Sequence, residues 1–282
     1  MALLETAGVN LATSQALYDG SSGYRETDLY NAATRTFTEV VAATSQGWGG
    51  FYIWSKAEKV GWLSVAVGPA GSEVIIATIQ VSFSAPRSFY VPIPVAAGTR
   101  VSVAHAGWTV GKLWAGVSGV PASVFDTVPS FTRLEVGPIY LDGGWTDYIY
   151  AVDVAAPGAD NTKGAFTEIS YSGYYSTPNN ALNGDSLAQS YAYLGVDLLI
   201  KYNTGTALID RLTDVAYGPA GSETVFVSDH YTNNISNWGL GSLAGPLWVK
   251  WGRAPGDRIS VRYQVSDVAN DAGIYAVLYG LR

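Results

Sequence analysis

The sequence has no cysteine, only two histidines and few charged residues. Without cysteine there is no disulfide, no thiolate metal site and no cysteine nucleophile. Two isolated histidines argue against a zinc or iron site. Charged residues make up 14% of the 282 residues, against roughly 25% in an average soluble domain. Low surface charge favours a protein that functions as a subunit of a larger assembly.

Basic runs and long apolar runs are also missing. The net charge is −7 and no run of Lys or Arg occurs, so we expect no nucleic-acid partner. No stretch approaches the roughly 18 apolar residues of a membrane span. Residues 1–8 lack the basic start and the apolar core of a signal peptide. We therefore expect a soluble protein, synthesised in the cytoplasm, with no membrane partner and no cofactor.

The sequence is rich in short strand patterns. In Asp257–Val265, apolar and polar residues alternate strictly, which is typical of a half-buried strand. Gly, Pro, Asn and Ser separate the runs, and we expect at most one or two helical turns, at Arg25–Ala32. The pattern predicts an all-β fold, with further strands at 36–41, 50–54, 60–67, 73–82, 99–105, 112–117, 196–202, 208–217, 223–228, 247–251 and 274–281.

An internal repeat divides the chain. Val65–Glu73 (VAVGPAGSE) recurs almost unchanged as Val215–Glu223 (VAYGPAGSE). Three weaker matches follow the same order, which indicates tandem duplication. They pair 37–40 with 166–169, 98–103 with 256–261, and 113–119 with 274–280.

The repeat predicts two tandem antiparallel β-sandwich domains of jelly-roll-like type. We place an N-terminal arm at 1–35, the first domain at 36–122, a lead-in segment at 123–165 and the second domain at 166–282. Both the arm and the lead-in segment contain an Asp-Gly element, so the duplication includes them. We expect the arm to add little to the core of its own domain and to dock on a neighbouring chain.

Two pairs of opposite charges recur with the repeat. Glu73 and Arg100 of the first copy correspond to Glu223 and Arg258 of the second. We interpret each Glu as pairing with its Arg, or with turn amides, to hold two turns together. The alternative is that each side chain faces water separately. A glycosidase that uses Glu73 and Glu223 is disfavoured, because equivalent positions in two domains should lie far apart.

The other candidate sites favour plain structural interpretations. His105 lies on the apolar face of its strand, which predicts a core position. His230 is the one possible catalytic base, but no G-x-S-x-G elbow accompanies it. The clusters Asp153…Asn161 and Asp267…Asp271 do not have EF-hand spacing, so we interpret them as polar turns rather than calcium sites.

Aromatic residues reach 13% of the chain. Tyr and Trp are favoured at interfaces, where one end of the side chain is apolar and the other is wet. They also stack on sugar rings. One loop-rich stretch carries five tyrosines that a single domain would not easily bury, and we take them as the candidate contact surface: Tyr171, Tyr174, Tyr175, Tyr191 and Tyr193.

Two motifs resemble a group of tailed-bacteriophage virion proteins. Asp214–Glu223 (DVAYGPAGSE) is similar to a strand-turn-strand element of that group, and Pro92–Arg100 (PIPVAAGTR) is similar to the strand that follows it. Each copy departs from the pattern in the other element: Ser64 stands where the pattern has Asp, and 253–258 reads RAPGDR. The resemblance implies a jelly-roll-like module on a virion surface, in head decoration, a head spike or a tail fibre, and it implies no chemistry.

These observations predict a non-enzymatic virion structural protein, made in the host cytoplasm, whose partners are copies of itself and other virion proteins. The alternative is a carbohydrate- or receptor-binding module that recognises a cell-surface glycan through the Tyr-rich loops. A carboxylate-only glycosidase is the weakest alternative.

Overall fold

The computed structural model describes most of the chain. The described residues are 4–11, 15–16, 32, 35–57, 61–81, 87–107, 113–128, 130–137, 152–170, 191–200, 209–233, 246–251, 258–271 and 273–281. The helical turns predicted at 25–32 lie outside these residues, apart from residue 32. No helix in the described part of the chain is long and apolar enough to cross a membrane.

The described residues form an all-β fold, as the sequence predicts, with one short 3₁₀ turn at Ala122–Val124. The strands of the first half are β1 (Glu5–Leu11), β2 (Gln15–Ala16), β3 (Thr38–Val41), β4 (Trp48–Ala57), β5 (Gly61–Val67), β6 (Val74–Val81), β7 (Arg87–Val91), β8 (Val101–Gly107) and β9 (Leu113–Pro121). Those of the second half are β10 (Leu134–Gly137), β11 (Val152–Val154), β12 (Thr167–Glu168), β13 (Tyr193–Ile200), β14 (Asp210–Tyr217), β15 (Thr224–Asn233), β16 (Leu247–Lys250), β17 (Ile259–Val265) and β18 (Ile274–Leu281).

The strands form three sheets that build two β-sandwiches. One sheet has the order β1-β9-β4-β7, and another has the order β12-β17-β14-β15. Between them runs a ten-stranded sheet whose main path is β16-β13-β18-β10-β6-β5-β8-β2. The first sandwich pairs the β1-β9-β4-β7 sheet with β6, β5, β8 and β3. The second pairs β16, β13 and β18 with the β12-β17-β14-β15 sheet.

The duplication predicted from the sequence is present strand by strand. Strands β3 to β9 recur as β12 to β18, with the same neighbours in the same order. The register agrees as well: Leu63 lies opposite His105 in the first sandwich, and Thr213 lies opposite Tyr263 in the second. Each pair occupies the same place in the repeat, which confirms two diverged copies of one fold.

The N-terminal arm differs from the expectation in one respect. Residues 5–11 are not a separate arm, because β1 pairs with β9 along its whole length and completes the first sheet. Glu5 also reaches into the first sandwich, where its Oε2 accepts a hydrogen bond from Nε1 of the buried Trp48 at 2.9 Å. Strands β10 and β11 of the lead-in segment pair with β18 in the same way. The arm therefore contributes an edge strand to the first sheet, and the lead-in segment contributes strands that pair with β18, of which β10 also pairs with β6.

Each sandwich has its own apolar core. On β17 the alternating residues Ile259, Val261, Tyr263 and Val265 are all fully buried, as the pattern predicts. They pack with Val215 and other inward residues of the second sandwich. The first core is lined by inward residues of the sheets around it, including Phe51, Ile53, Val65, Val103 and Val117.

The first core also covers one outer face of the second sandwich. Leu134 on β10 bridges the two halves of the ten-stranded sheet, opposite Leu281 on one side and Ala77 on the other. Phe89 on β7 packs against Tyr279 of β18 with ring centroids 5.0 Å apart. The outward side of β18 is therefore buried within the chain.

Candidate functional site

The repeated turn is the most closely conserved local structure between the two sandwiches. It joins β5 to β6 at 68–71 and β14 to β15 at 218–221. Gly68 and Gly71 have φ of 110° and 83°, while Gly218 and Gly221 have φ of 111° and 82°. These positive values are readily adopted only by glycine. The identical Gly-Pro-Ala-Gly sequences thus produce the same backbone twice.

In the first sandwich, Glu73 and Arg100 lie together beside this turn. Nη1 of Arg100 is 3.0 Å from Oε1 of Glu73 and also donates to the carbonyl of Gly68 at 3.3 Å. The other Glu73 oxygen accepts a hydrogen bond from the amide of Gly71 at 2.8 Å. Because Arg100 immediately precedes β8, these contacts tie the turn to the start of the neighbouring strand.

The second sandwich repeats this arrangement. Nη1 of Arg258 is 2.8 Å from Oε1 of Glu223 and donates to the carbonyl of Gly218 at 3.4 Å. The backbone bond between the turn and the arginine also recurs, from Gly68 to Arg100 at 3.2 Å and from Gly218 to Arg258 at 3.1 Å. Both parts of the interpretation, the ion pair and the bonded turn, describe what these residues do here.

A third residue joins each cluster. Nε of Arg100 donates to Glu39 of β3 at 2.8 Å, and Nε of Arg258 donates to Glu168 of β12 at 2.7 Å. Each arginine therefore connects three segments: the turn, its own strand and the adjacent edge strand. We call Glu39, Glu73 and Arg100, with Glu168, Glu223 and Arg258, the two turn clamps. The matched segments 37–40 and 166–169 contain Glu39 and Glu168 at equivalent positions, so both residues could have been predicted from the sequence.

The electrostatics of the clamps suit a structural role. Partial burial alone would raise the pKa of Glu73, but backbone amides and Arg100 outweigh it and lower that pKa. The hydrogen bond from Arg258 is the largest cause of the lowered pKa of Glu223. Such carboxylates stay ionised and paired, whereas a glycosidase acid must carry a proton. Each glutamate is also bound to the arginine of its own sandwich.

Asp214, the first residue of the phage-like motif, forms a separate cluster in the second sandwich. Its oxygens lie 2.6 Å from Nζ of Lys163 and 2.8 Å from Nε of Arg262. In the first copy Ser64 takes its place and shares a hydrogen bond with Thr78 at 3.1 Å. At this position the first copy thus has a buried hydroxyl pair where the second has a partly buried ion cluster.

A buried ion pair in the second sandwich was not anticipated from the sequence. Arg211 is fully buried, and its Nε donates to Oδ1 of Asp271 at 3.0 Å. The other Asp271 oxygen accepts from the hydroxyl of Tyr263 at 2.7 Å. Arg211 has no charged counterpart in the first copy, where the repeat places Gly61, so the comparison of copies did not reveal it.

The acidic clusters considered for calcium behave as polar turns. Asp160 accepts a hydrogen bond from the amide of Val268 at 2.7 Å, and Asp267 accepts one from that of Asn270 at 3.2 Å. Within the described ranges, no group of three or more His, Cys, Asp or Glu residues is placed to hold a metal ion.

The two histidines lie in different surroundings. His105 is 4% exposed, in the core position that the alternation predicts, and neither ring nitrogen has a hydrogen-bond partner among the described residues. Burial, and to a smaller extent Arg35, lowers its pKa to about 4. His230 lies on β15 opposite Thr213, and partial burial lowers its pKa as well.

The tyrosine surface proposed from the sequence needs correction. Tyr191 is 1% exposed, and its ring occupies the space that a side chain at Gly280 would take. Tyr193 is half-buried and packs edge-on against Phe131, with ring centroids 5.4 Å apart. These two tyrosines serve the fold rather than a contact surface. The other three, Tyr171, Tyr174 and Tyr175, lie outside the described residues.

A different set of aromatic residues does lie on the surface. Tyr52 and Trp54 of β4, Tyr90 of β7 and Trp114 of β9 share the outward side of the first sheet, and we call them the aromatic face. Tyr52 is 40% exposed and Trp114 is 37% exposed. The rings of Tyr52 and Tyr90 are 5.0 Å apart. The Trp54 ring lies against Gly8 and Gly116, where any larger side chain would displace it.

Comparison with known proteins identifies no family. No family model matches the chain, and no curated protein matches it. Solved structures that it resembles include the PBSX exported protein XepA, at 10% identity and a TM-score of 0.22, covering 88% of this chain and 86% of that one. A cupin 2 conserved barrel domain protein from Leptotrichia buccalis follows at 7% identity and a TM-score of 0.17, covering 88% and 79%. A vicilin from Solanum melongena has 7% identity and a TM-score of 0.19, covering 88% and 74%. Likenesses this weak say nothing about what the chain binds or does.

Proposed function

We propose that this protein is a non-enzymatic structural component of a tailed-phage virion, made in the host cytoplasm and assembled there with copies of itself and with other virion proteins. The motif resemblance at 214–223 and 92–100 supports the virion assignment. In this proposal the turn clamps hold the sandwiches rigid, and the aromatic face makes the contacts between copies.

The observation that carries the proposal is that the same sheet face is buried in the second sandwich and exposed in the first. In the second sandwich, Val277 and Tyr279 of β18 point outward and are buried against the first sandwich. The repeat places Gly116 and Ser118 of β9 at these positions, on the side of the sheet that remains exposed. The chain thus already contains one sandwich-to-sandwich contact through this face.

The chemistry of the exposed counterpart fits a protein interface. Interface energies are dominated by a few Trp, Tyr and Arg side chains near the centre of the contact. The aromatic face offers two Trp and two Tyr residues, and Gly8 and Gly116 leave room for the Trp54 ring to lie against the sheet. We assign it to contact with a second copy of the chain, which makes the protein a homo-oligomer.

The experiment for the virion assignment is mass spectrometry of density-purified particles of the phage that encodes this chain. The proposal predicts that the chain copurifies with intact particles. Its amount, scaled to that of the major capsid protein, should correspond to several copies per particle. Its absence from particles, while it accumulates as free protein in the lysate, would overturn the assignment. Incubation of the purified protein with polysaccharides, monitored for released reducing ends, tests for glycosidase activity, and none is expected.

A further inference from the structure

A polar groove crosses the outer face of the β12-β17-β14-β15 sheet. Its volume is about 220 Å³, and it is lined by Asn161, Asp210, Leu212, Tyr231, Gln264 and Ser266. None of these residues belongs to the turn clamps, the aromatic face or the tyrosine stretch considered above.

The sheet register fixes the floor and the walls of the groove. Leu212 lies on the central strand β14, opposite Tyr231 of β15 on one side and Gln264 of β17 on the other. One row further on, the amide of Asp210 donates to the hydroxyl oxygen of Ser266 at 3.1 Å. Four of the six lining residues, Asp210, Leu212, Tyr231 and Gln264, therefore stand on three adjacent hydrogen-bonded strands, which is a more precise support than a loop. Asn161 and Ser266 lie in turns beside them.

Tyr231 presents an exposed ring whose position is fixed. Its side chain is 55% exposed, although it stands on a regular strand. Its hydroxyl donates to Oδ1 of Asp210 at 2.6 Å, which ties the phenol to the neighbouring strand. An exposed, fixed aromatic ring offers an apolar contact surface at little entropic cost, because few rotamers remain to be lost on binding.

The amide side chains of the groove have unused hydrogen-bonding capacity. Within the described part of the chain, neither the Gln264 amide nor the Asn161 amide makes a side-chain hydrogen bond. Asn161 has a φ of 53°, unusual for a residue other than glycine, and its backbone amide is held by the carbonyl of Val265 at 2.7 Å.

We propose that this groove binds one neutral hexopyranose unit of a surface glycan. Neighbouring sugar hydroxyls each donate and accept, and the groove offers both kinds of partner: carboxamides that donate and accept, and a carboxylate that only accepts. The apolar face of a pyranose fits against Tyr231 and Leu212. The Asp210 carboxylate and the net charge of −7 repel acidic sugars, so the ligand class is neutral.

Among the described residues, the equivalent place in the first sandwich differs from the groove. The repeat places Trp62 at the position of Leu212, with Trp62 opposite Ala106 as Leu212 is opposite Gln264. Trp62 is 1% exposed, so the corresponding part of the first sandwich is covered. One copy thus has a closed face and the other an open polar groove, a divergence that follows naturally if the second sandwich acquired a ligand.

A shallow groove of this size predicts weak binding of a single sugar, with a dissociation constant on the order of 1 mM. Several copies on one particle would raise the apparent affinity through multivalency, with no new contact. The inference is independent of the virion assignment, because it concerns the isolated protein.

Saturation-transfer-difference NMR of the intact protein with a panel of methyl hexopyranosides and neutral oligosaccharides tests the proposal, with sialyllactose as the acidic comparison. We expect transfer to at least one neutral sugar and none to sialic acid. Tyr231→Ala and Gln264→Ala should each weaken that binding at least tenfold. Val124→Ser, at an exposed position on the other sandwich outside the groove and the aromatic face, should leave it unchanged.

Three results would contradict the proposal: no transfer to any neutral sugar, transfer to the acidic sugar alone, or neutral-sugar binding that both groove variants retain. Thermal melting of each variant supplies the folding control. Gln264 and Tyr231 lie at the surface, so a loss of binding at an unchanged melting temperature belongs to the groove.

Discussion

His105 and Tyr263 occupy the same place in the two sandwiches, but in the described structure only the tyrosine makes a side-chain hydrogen bond. His105 lies on β8 and Tyr263 on β17, each the penultimate strand of its repeat, opposite Leu63 and Thr213 respectively. The Tyr263 hydroxyl donates to Asp271 at 2.7 Å, whereas both ring nitrogens of His105 are buried with no hydrogen-bond partner in the part of the chain that the structure describes. The second copy has a buried polar network where the first has a histidine that burial keeps neutral.

The buried imidazole predicts a pH dependence of stability. Its pKa in the folded protein is about 4, below the 6.5 of the unfolded chain. The unfolded state therefore binds more protons between these values, so the stabilisation is complete above pH 6.5 and is lost as the pH falls towards 4. Between pH 7 and pH 5, wild type should lose about 2 kcal/mol relative to His105→Leu.

Urea denaturation at pH 7, 6 and 5 measures this difference. His230→Asn is the matched control, since His230 is only partly buried and should show a smaller effect. An identical pH dependence in wild type and His105→Leu would show that the imidazole is not held neutral by the fold.

The buried pair of Arg211 and Asp271 predicts a large loss of stability when one partner is removed. Arg211→Met leaves the Asp271 carboxylate buried without its counter-ion, which costs roughly 3–5 kcal/mol. Replacing both residues, as Arg211→Met with Asp271→Leu, should recover most of that loss. The urea-denaturation midpoints of the single and double variants measure the loss of stability and its recovery. Lys250→Met, at an exposed position, is the control. A cost under about 1 kcal/mol for Arg211→Met would mean that water reaches the pair.

The turn clamps predict that the shape of the arginine side chain, in addition to its charge, contributes to thermal stability. Arg258→Lys keeps the positive charge but loses the fork that reaches Glu168, Glu223 and the carbonyl of Gly218 together. We expect a lower melting temperature for Arg258→Lys and a still lower one for Arg258→Met. The same order should hold at Arg100. Equal melting temperatures for wild type and Arg258→Met would show that the clamp does not stabilise the fold.

The repeated glycines predict a local backbone cost. Gly68→Ala and Gly218→Ala place a side chain at φ near 110°, which should destabilise the protein by about 1–2 kcal/mol. Gly158→Ala is the control, because its added carbon meets no atom within 4 Å and its φ is unremarkable. If calorimetry finds the three variants equally stable, the turn tolerates a conformation other than the one described.

Local patterns predicted much of this molecule, because the responsible residues are close in sequence or repeated. The alternation in 257–265 and the doubled Gly-Pro-Ala-Gly turn both correspond to the structure. Glu39 and Glu168 were missed as clamp members although the repeat contained both, because only pairs of opposite charge were compared.

Other features depend on partners far away in the chain and left no local signal. Strand β1 has no clear apolar alternation, since its position is determined by pairing with β9 more than a hundred residues later. Tyr191 was assigned to a contact surface because it belongs to a cluster of tyrosines that one domain would not easily bury, yet Gly280 leaves space for its ring in the core. The groove lined by Tyr231 likewise combines residues from 161 to 266, which only the folded sheet brings together.

Light scattering coupled to size-exclusion chromatography tests the assembly through the aromatic face most directly. The account predicts that the wild-type chain, 29.9 kDa as a monomer, elutes as a homo-oligomer. It also predicts that Tyr52→Ser with Trp114→Ser reduces it to a folded monomer, while Tyr231→Ala leaves the oligomer intact. A wild-type monomer at every concentration up to the millimolar range, or an oligomer that survives the double substitution, would contradict it.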